Sequence, residues 1–112
     1  MVKHKQKLVT LSCGVRSEVD AKIAGMIVIL NRSGVETRHS CQGRNKWRGY
    51  VSMFANPRAK ALGQWLIKNH GELELVIEIG IHPHGYEQMT IRFQKKDIEQ
   101  LTTMIHHYFA AN

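Results

Sequence analysis

"ELELVIEIGIHPHGYEQMTIRF", residues 72 to 93, decides how the chain is built. Leu73, Leu75, Ile77 and Ile79 recur at every second position against glutamates, the period of a half-buried strand whose side chains point to opposite faces in turn. "HPHG" at 82 to 85 makes a turn, and Met89, Ile91 and Phe93 alternate with Gln88, Thr90 and Arg92 on the way back. Two period-two runs around one turn predict an antiparallel hairpin.

Working outward, "KLVTLSC" (7 to 13) reads as a first strand, and Ser17 with Asp20 three residues on resembles a capping box. Val19, Ile23, Met26, Ile27 and Leu30 then recur at helical spacing, with Gly34 at the C-cap. "VETRHSC" (35 to 41) and "GYVSMFA" (49 to 55) read as strands, and Asn56-Pro57 pairs a helix cap with a first-turn proline. Ala61, Leu62, Trp65 and Leu66 give the next helix its apolar stripe, closed at Gly71. A last helix carries Ile98, Leu101, Ile105, Tyr108 and Phe109 on one side. The expected order is β-α-β-β-α-β-β-α: an α+β fold, residues 1 to 112 forming a single domain with a single, largely antiparallel sheet and helices packed on it.

A chain of 112 residues holds one core. Its longest apolar run, "MIVIL" at 26 to 30, lies inside an amphipathic pattern and is too short for a membrane span. "MVKHKQK" lacks the apolar stretch of a secretory signal, so a cytoplasmic protein without membrane partners is expected. Cys13 and Cys41 are too few for a disulfide framework and lack CxxC spacing. "LSCG" at 11 to 14 echoes "HSCQG" at 39 to 43, which would bring two thiols to one end of the sheet if both strands were central.

Charge is the more informative property. The net charge is +7, and no acidic residue lies between Glu36 and Glu72, where Arg38, Arg44, Lys46, Arg48, Arg58, Lys60 and Lys68 fall. Such a block favours phosphate-bearing partners; the plainer alternative is a solvated face that maintains solubility.

"HSCQGRNKWRGYVSMF", residues 39 to 54, lies in that block. Gly43 and Gly49 permit positive φ and close backbone approach, so Gln42 to Arg44 can present N–H groups to an anion. Arg38, Arg44, Lys46 and Arg48 are candidate phosphate ligands, and Trp47 and Tyr50 offer faces for a base. His39, Ser40 and Cys41 complete the expected binding stretch. The alternative is a hairpin whose Trp47 folds back on the core. Cys41 as a nucleophile would take His39, two residues earlier on the same face, as its base; no acidic orienter is near, and a small buried cysteine is the commoner outcome. No catalytic residue is assigned. His82 and His84 flank Pro83, and with Cys41 or His39 they could complete a tetrahedral zinc site, but the spacing fits no standard finger. They are expected instead to join the ligand pocket from the opposite hairpin, with no metal and no cofactor.

"LNRSGVETRHSCQG" followed by "GYVSMFA" resembles a pattern of small bacterial and phage proteins of unassigned activity, in which a helix ending Leu-Asn, a glycine turn, Ser-Cys-x-Gly and Tyr-Val/Ile-x-Phe follow in order. The likeness covers about residues 19 to 54, with one inserted position in Tyr50 to Phe54. Ser40, Cys41, Gln42, Gly43 and Arg44 are also similar to the Ser-Cys-Ser-Gly-Arg motif of the wybutosine-synthesising tRNA methyltransferase family, with Gln42 in place of a serine. That family uses S-adenosylmethionine and RNA, and the likeness implies a nucleotide-handling site around Cys41 and Arg44.

The expected function is non-enzymatic binding of an anionic nucleotide-like ligand, such as a phage protein sequestering a host defence signalling nucleotide would perform. The alternative is an RNA-binding or tRNA-modifying protein, and a third is a small enzyme acting through Cys41 and His39. A homo-oligomer is expected, because a small domain gains pocket walls by pairing its edges.

Overall fold

The computed structural model of the chain describes residues 5–11, 16–43 and 49–111. Among them the elements run β1 (Gln6–Thr10), β2 (Arg16–Asp20), a 3-10 turn (Ala21–Ile23), α1 (Ala24–Arg32), β3 (Thr37–Cys41), β4 (Gly49–Phe54), α2 (Pro57–Asn69), β5 (Val76–Ile81), β6 (Glu87–Phe93), a second 3-10 turn (Lys95–Asp97) and α3 (Ile98–Ala111). The fold is α+β with two antiparallel sheets, the β1–β2 hairpin and a four-stranded sheet in the order β3-β4-β6-β5. No described helix is long and apolar enough to cross a membrane.

Two expectations change. The order has one more strand than the sequence reading, and the sheet is not single: the Ser17–Asp20 stretch forms β2, paired in register with β1 from Gln6↔Asp20 to Thr10↔Arg16. The capping pattern is a local signal, and here the ladder overrides it. The Asp20 carboxylate accepts hydrogen bonds from the Gln6 side chain and, at 3.0 Å, from the backbone N–H of Gln42. It therefore ties the hairpin to the end of β3, and α1 begins only at Ala24.

The helices and the hairpin enclose one core. Ile23, Met26, Ile27, Leu30, Leu62, Leu66, Leu101 and Ile105 are fully buried with Val51, Met53, Met89, Ile91 and Phe93 of the sheet. These alternate positions of β4 and β6 are what a period of two delivers to one face. Asn31 makes the α1–β3 corner, its Nδ2 donating to the Ile27 carbonyl at 2.8 Å and to Thr37 Oγ1 at 3.0 Å. The start of α2 is the one expected: Asn56 Oδ1 accepts from the Ala59 N–H at 2.9 Å, with Pro57 in the first turn.

The alternation of β5 is only partly realised as burial. Leu73 is buried and Ile77 partly so, but Ile79 is 51% and Ile81 72% exposed. The strand lies at the sheet edge, and α2 approaches it at Gly63, where an added Cβ would meet the Ile77 side chain at 3.4 Å.

Candidate functional site

Opposed residues of an antiparallel ladder project from the same face, so the registers define what the second face of the four-stranded sheet carries. One row is Cys41, Tyr50, Arg92 and Val76; the next is His39, Ser52, Thr90 and Glu78; a third is Phe54, Gln88 and Gly80. None of these residues belongs to the buried apolar core. Among the described residues, the core positions of β4 and β6 take the alternate register, and this face carries mainly polar, aromatic and charged side chains beside Val76 and Gly80. Ser52 and Thr90 are buried at its centre, their hydroxyls 3.0 Å apart and hydrogen-bonded to each other.

At one end of the face a cluster forms from residues far apart in sequence. The β3–β4 register shifts between Thr37 and His39, a bulge that inserts Arg38. The Arg38 guanidinium then lies over the Phe54 ring at 4.9 Å and near the Tyr86 ring at 5.7 Å. Phe54 meets Tyr86 edge-on at 4.7 Å, Tyr86 stacks on His82 at 4.5 Å, and His82 stacks on His84 at 5.1 Å, with His39 at 6.3 Å from His82. The β5–β6 turn presents these rings: His82 N–H donates to the Tyr86 carbonyl and Gly85 N–H to the His82 carbonyl, both at 2.8 Å. At the other end Arg92 lies 5.9 Å from the Tyr50 ring and is ion-paired with Glu78.

Electrostatics mark His82. Burial, followed by the positive charge of His84, His39 and Arg38, holds it below the usual histidine value of 6.5. Glu36 lies 3.7 Å from Arg38 and offsets part of that charge. One polar atom stands out: Gln88 Oε1 is buried with no hydrogen-bond partner among the described residues.

Of the sequence-expected site residues, the fold brings Arg38, His39, Cys41, Tyr50, His82 and His84 onto or beside this face. The His39, His82 and His84 rings stack, and no group of three or more His, Cys, Asp or Glu side chains among the described residues is placed to hold a metal ion. Cys41 is a partly exposed free thiol in the Tyr50 row. Ser40 pairs with Val51 and so belongs to the core-facing side. Gln42 turns inward: it is buried, its N–H bound to Asp20 and its Oε1 accepting from the Lys22 N–H at 3.2 Å. The two glycines differ in their cause. Gly43 has φ 99°. Gly49 is fixed by packing, since a Cβ there would stand 2.5 Å from the Phe93 ring and 2.9 Å from the Cys41 and Gln42 carbonyls. Arg44, Lys46, Trp47 and Arg48 lie outside the described residues, as does Cys13 and with it the thiol pairing.

Phe54, Tyr86, Gln88 and Arg92 are functional candidates that the sequence reading left in the scaffold. For Phe54, Gln88 and Arg92 the signal was present as the off-phase positions of strands already recognised, the ones that alternate against Met53, Met89 and Phe93; Tyr86 lies just before β6. No family model, curated protein or solved structure matches the chain.

Proposed function

We propose that the chain binds single-stranded nucleic acid across the open face of its four-stranded sheet. The observation that carries the reading is the contiguous cluster of Arg38, Phe54, Tyr86, His82 and His84, with Tyr50 and Arg92 at the far end of the same face. Aromatic faces stack on bases without regard to sequence, and the arginine guanidinium attracts the intervening phosphates. Tyr50 and Phe54 are four residues apart on β4, a span of roughly 13 Å, which suits a short run of nucleotides. The net charge of +7 supplies long-range attraction.

Capture of one small nucleotide is the second reading. It is favoured by a groove of about 260 Å³ along β5, lined by His82, Gln88, Thr90 and Arg92 among others and close to the unpartnered Gln88 Oε1. That volume is below the roughly 300–1,000 Å³ of ordinary small-molecule sites, and an open face suits an extended ligand better than an enclosed one.

The test is fluorescence anisotropy with labelled single-stranded RNA and DNA, a duplex control, and mononucleotides as competitors, each over a range of salt. Single strands should bind more tightly than duplex, and Arg38→Ala should reduce the slope of log affinity against log salt by about 0.7. Equal affinity for duplex, or a slope indifferent to Arg38, would remove the face from the binding surface. Full competition by a mononucleotide would favour the second reading.

A further inference from the structure

The two edges of the four-stranded sheet are treated differently. On the β3 side the bulge at Arg38 interrupts the ladder, and β2 lies alongside. The β5 edge has neither device: its ladder to β6 runs without a shift from Val76↔Arg92 to Ile81↔Glu87, and "VIEIGI" contains no lysine or proline. Sheet edges are ordinarily blunted by such residues. Among the described residues β6 is the only ladder partner of β5.

The direction of the free backbone groups follows from the turn. His82 and Tyr86 form a hydrogen-bonded rung, so by alternation Gly80, Glu78 and Val76 aim their N–H and C=O groups at β6. Ile77, Ile79 and Ile81 aim theirs outward. Gly80 adds a second sign. A Cβ there would meet nothing within 4 Å, so no contact among the described residues explains the glycine, and a strand glycine often marks the close approach of another backbone.

We propose that β5 pairs antiparallel with β5 of a second copy of this chain, centred on Ile79. A two-fold pairing must set outward-pointing residues opposite one another, which a centre on any residue of the strand does; Glu78 and Ile79 as centres pair five residues of each Val76–Ile81 strand, and the others three or fewer. Centring on Glu78 sets two carboxylates face to face, which is destabilising. Centring on Gly80 leaves Ile77 outside the paired strands. Centring on Ile79 opposes Ile79 to itself, Ile77 to Ile81 of the second copy, and Glu78 to Gly80 of the second copy. Every isoleucine of the strand then meets an isoleucine, and the glycine faces the one carboxylate. Val76 would stand opposite His82 of the second copy, so the Tyr50–Arg92–Val76 row of one chain would run into the His82–Tyr86 cluster of the other. Given the nucleic-acid reading above, the result is one platform across eight strands. A contact of one strand per copy lies at the small end of interfaces, below about 1,200 Å², so the dimer depends on concentration.

Analytical ultracentrifugation without nucleic acid tests the pairing independently of that reading. The mass should double as concentration rises toward about 1 mM, the limit of a weak but specific contact. Ile79→Lys and Ile81→Lys, both at exposed positions and checked for an unchanged Tm, should each hold the chain monomeric. Under oxidation Ile79→Cys should give a disulfide dimer absent from the parent with its own Cys13 and Cys41. A chain monomeric at every concentration, or a dimer unaffected by both lysine variants, would overturn the proposal. Preferential cross-linking of Glu78→Cys or Gly80→Cys would overturn the register.

Discussion

Replacing Tyr86 with alanine separates the binding role of the open face from its contribution to stability. The Tyr86 ring is edge-on to Phe54 at 4.7 Å, parallel to His82 at 4.5 Å, and within 5.7 Å of the Arg38 guanidinium. Its aromatic pairing contributes about 0.5–1.5 kcal/mol, and a partly exposed cation–π contact about 0.5–1 kcal/mol. Tyr86→Ala should therefore destabilise the fold by about 1–2.5 kcal/mol, lowering Tm by about 4 °C per kcal/mol for a domain of this size. The loss in binding follows a different estimate. A base stacked on an aromatic ring is worth about 1–3 kcal/mol, so affinity for single-stranded RNA should fall by about 5- to 150-fold. Tyr86→Phe keeps the ring and should bind within about twofold of the parent. Anisotropy titrations beside thermal melts read both quantities. A folded Tyr86→Ala chain that binds as the parent does would refute stacking on this cluster, and a much larger loss of Tm would make Tyr86 a scaffold residue.

Gly49→Ala should destabilise the chain by about 1–3 kcal/mol or more, because its Cβ would stand 2.5 Å from the Phe93 ring with carbonyls on the other side; an unchanged urea midpoint would contradict the packing. Asn56→Ala removes both the Ala59 cap and the hydrogen bond from Asn56 Nδ2 to the Gly34 carbonyl, and should lower stability by about 1 kcal/mol in the same assay. Stability and binding should respond to pH in opposite directions. With His82 held below 6.5 in the fold, the unfolded chain binds more protons just below that value, so the His82 contribution to stability is present above 6.5 and declines as pH falls. A bound polyanion offsets the repulsion from His84, His39 and Arg38, so RNA affinity should rise over the same range and His82→Asn should flatten both profiles. Parallel rather than opposed profiles would count against phosphate near His82.

Much of the scaffold was legible in the sequence because its signals are local or periodic. Helix α1 announces itself by Ile23, Met26, Ile27 and Leu30, α2 by Asn56-Pro57, and the β5–β6 hairpin by alternation around His82–Gly85. Ser17 to Asp20 was misleading for the same reason: four residues can satisfy a capping pattern and still be taken by a ladder whose partner lies beyond a turn. Leu30 and Asn31 of the stretch that resembles other small proteins turn out to secure the α1–β3 corner, one by burial and the other through Thr37.

The candidate site was legible only in its basic character. Sequence by itself determined that alternate residues of β4 and β6 face the core, since the period of a strand is a property of the backbone. Which off-phase residues would meet was decided by the tertiary structure. The strand order β3-β4-β6-β5 and the bulge at Arg38 carry Arg38 and His39 to Phe54, His82 and Tyr86. The physical reason is that register and strand order are set by hydrogen bonds and core packing between distant segments, and a shift of one residue would have sent each of those side chains to the opposite face.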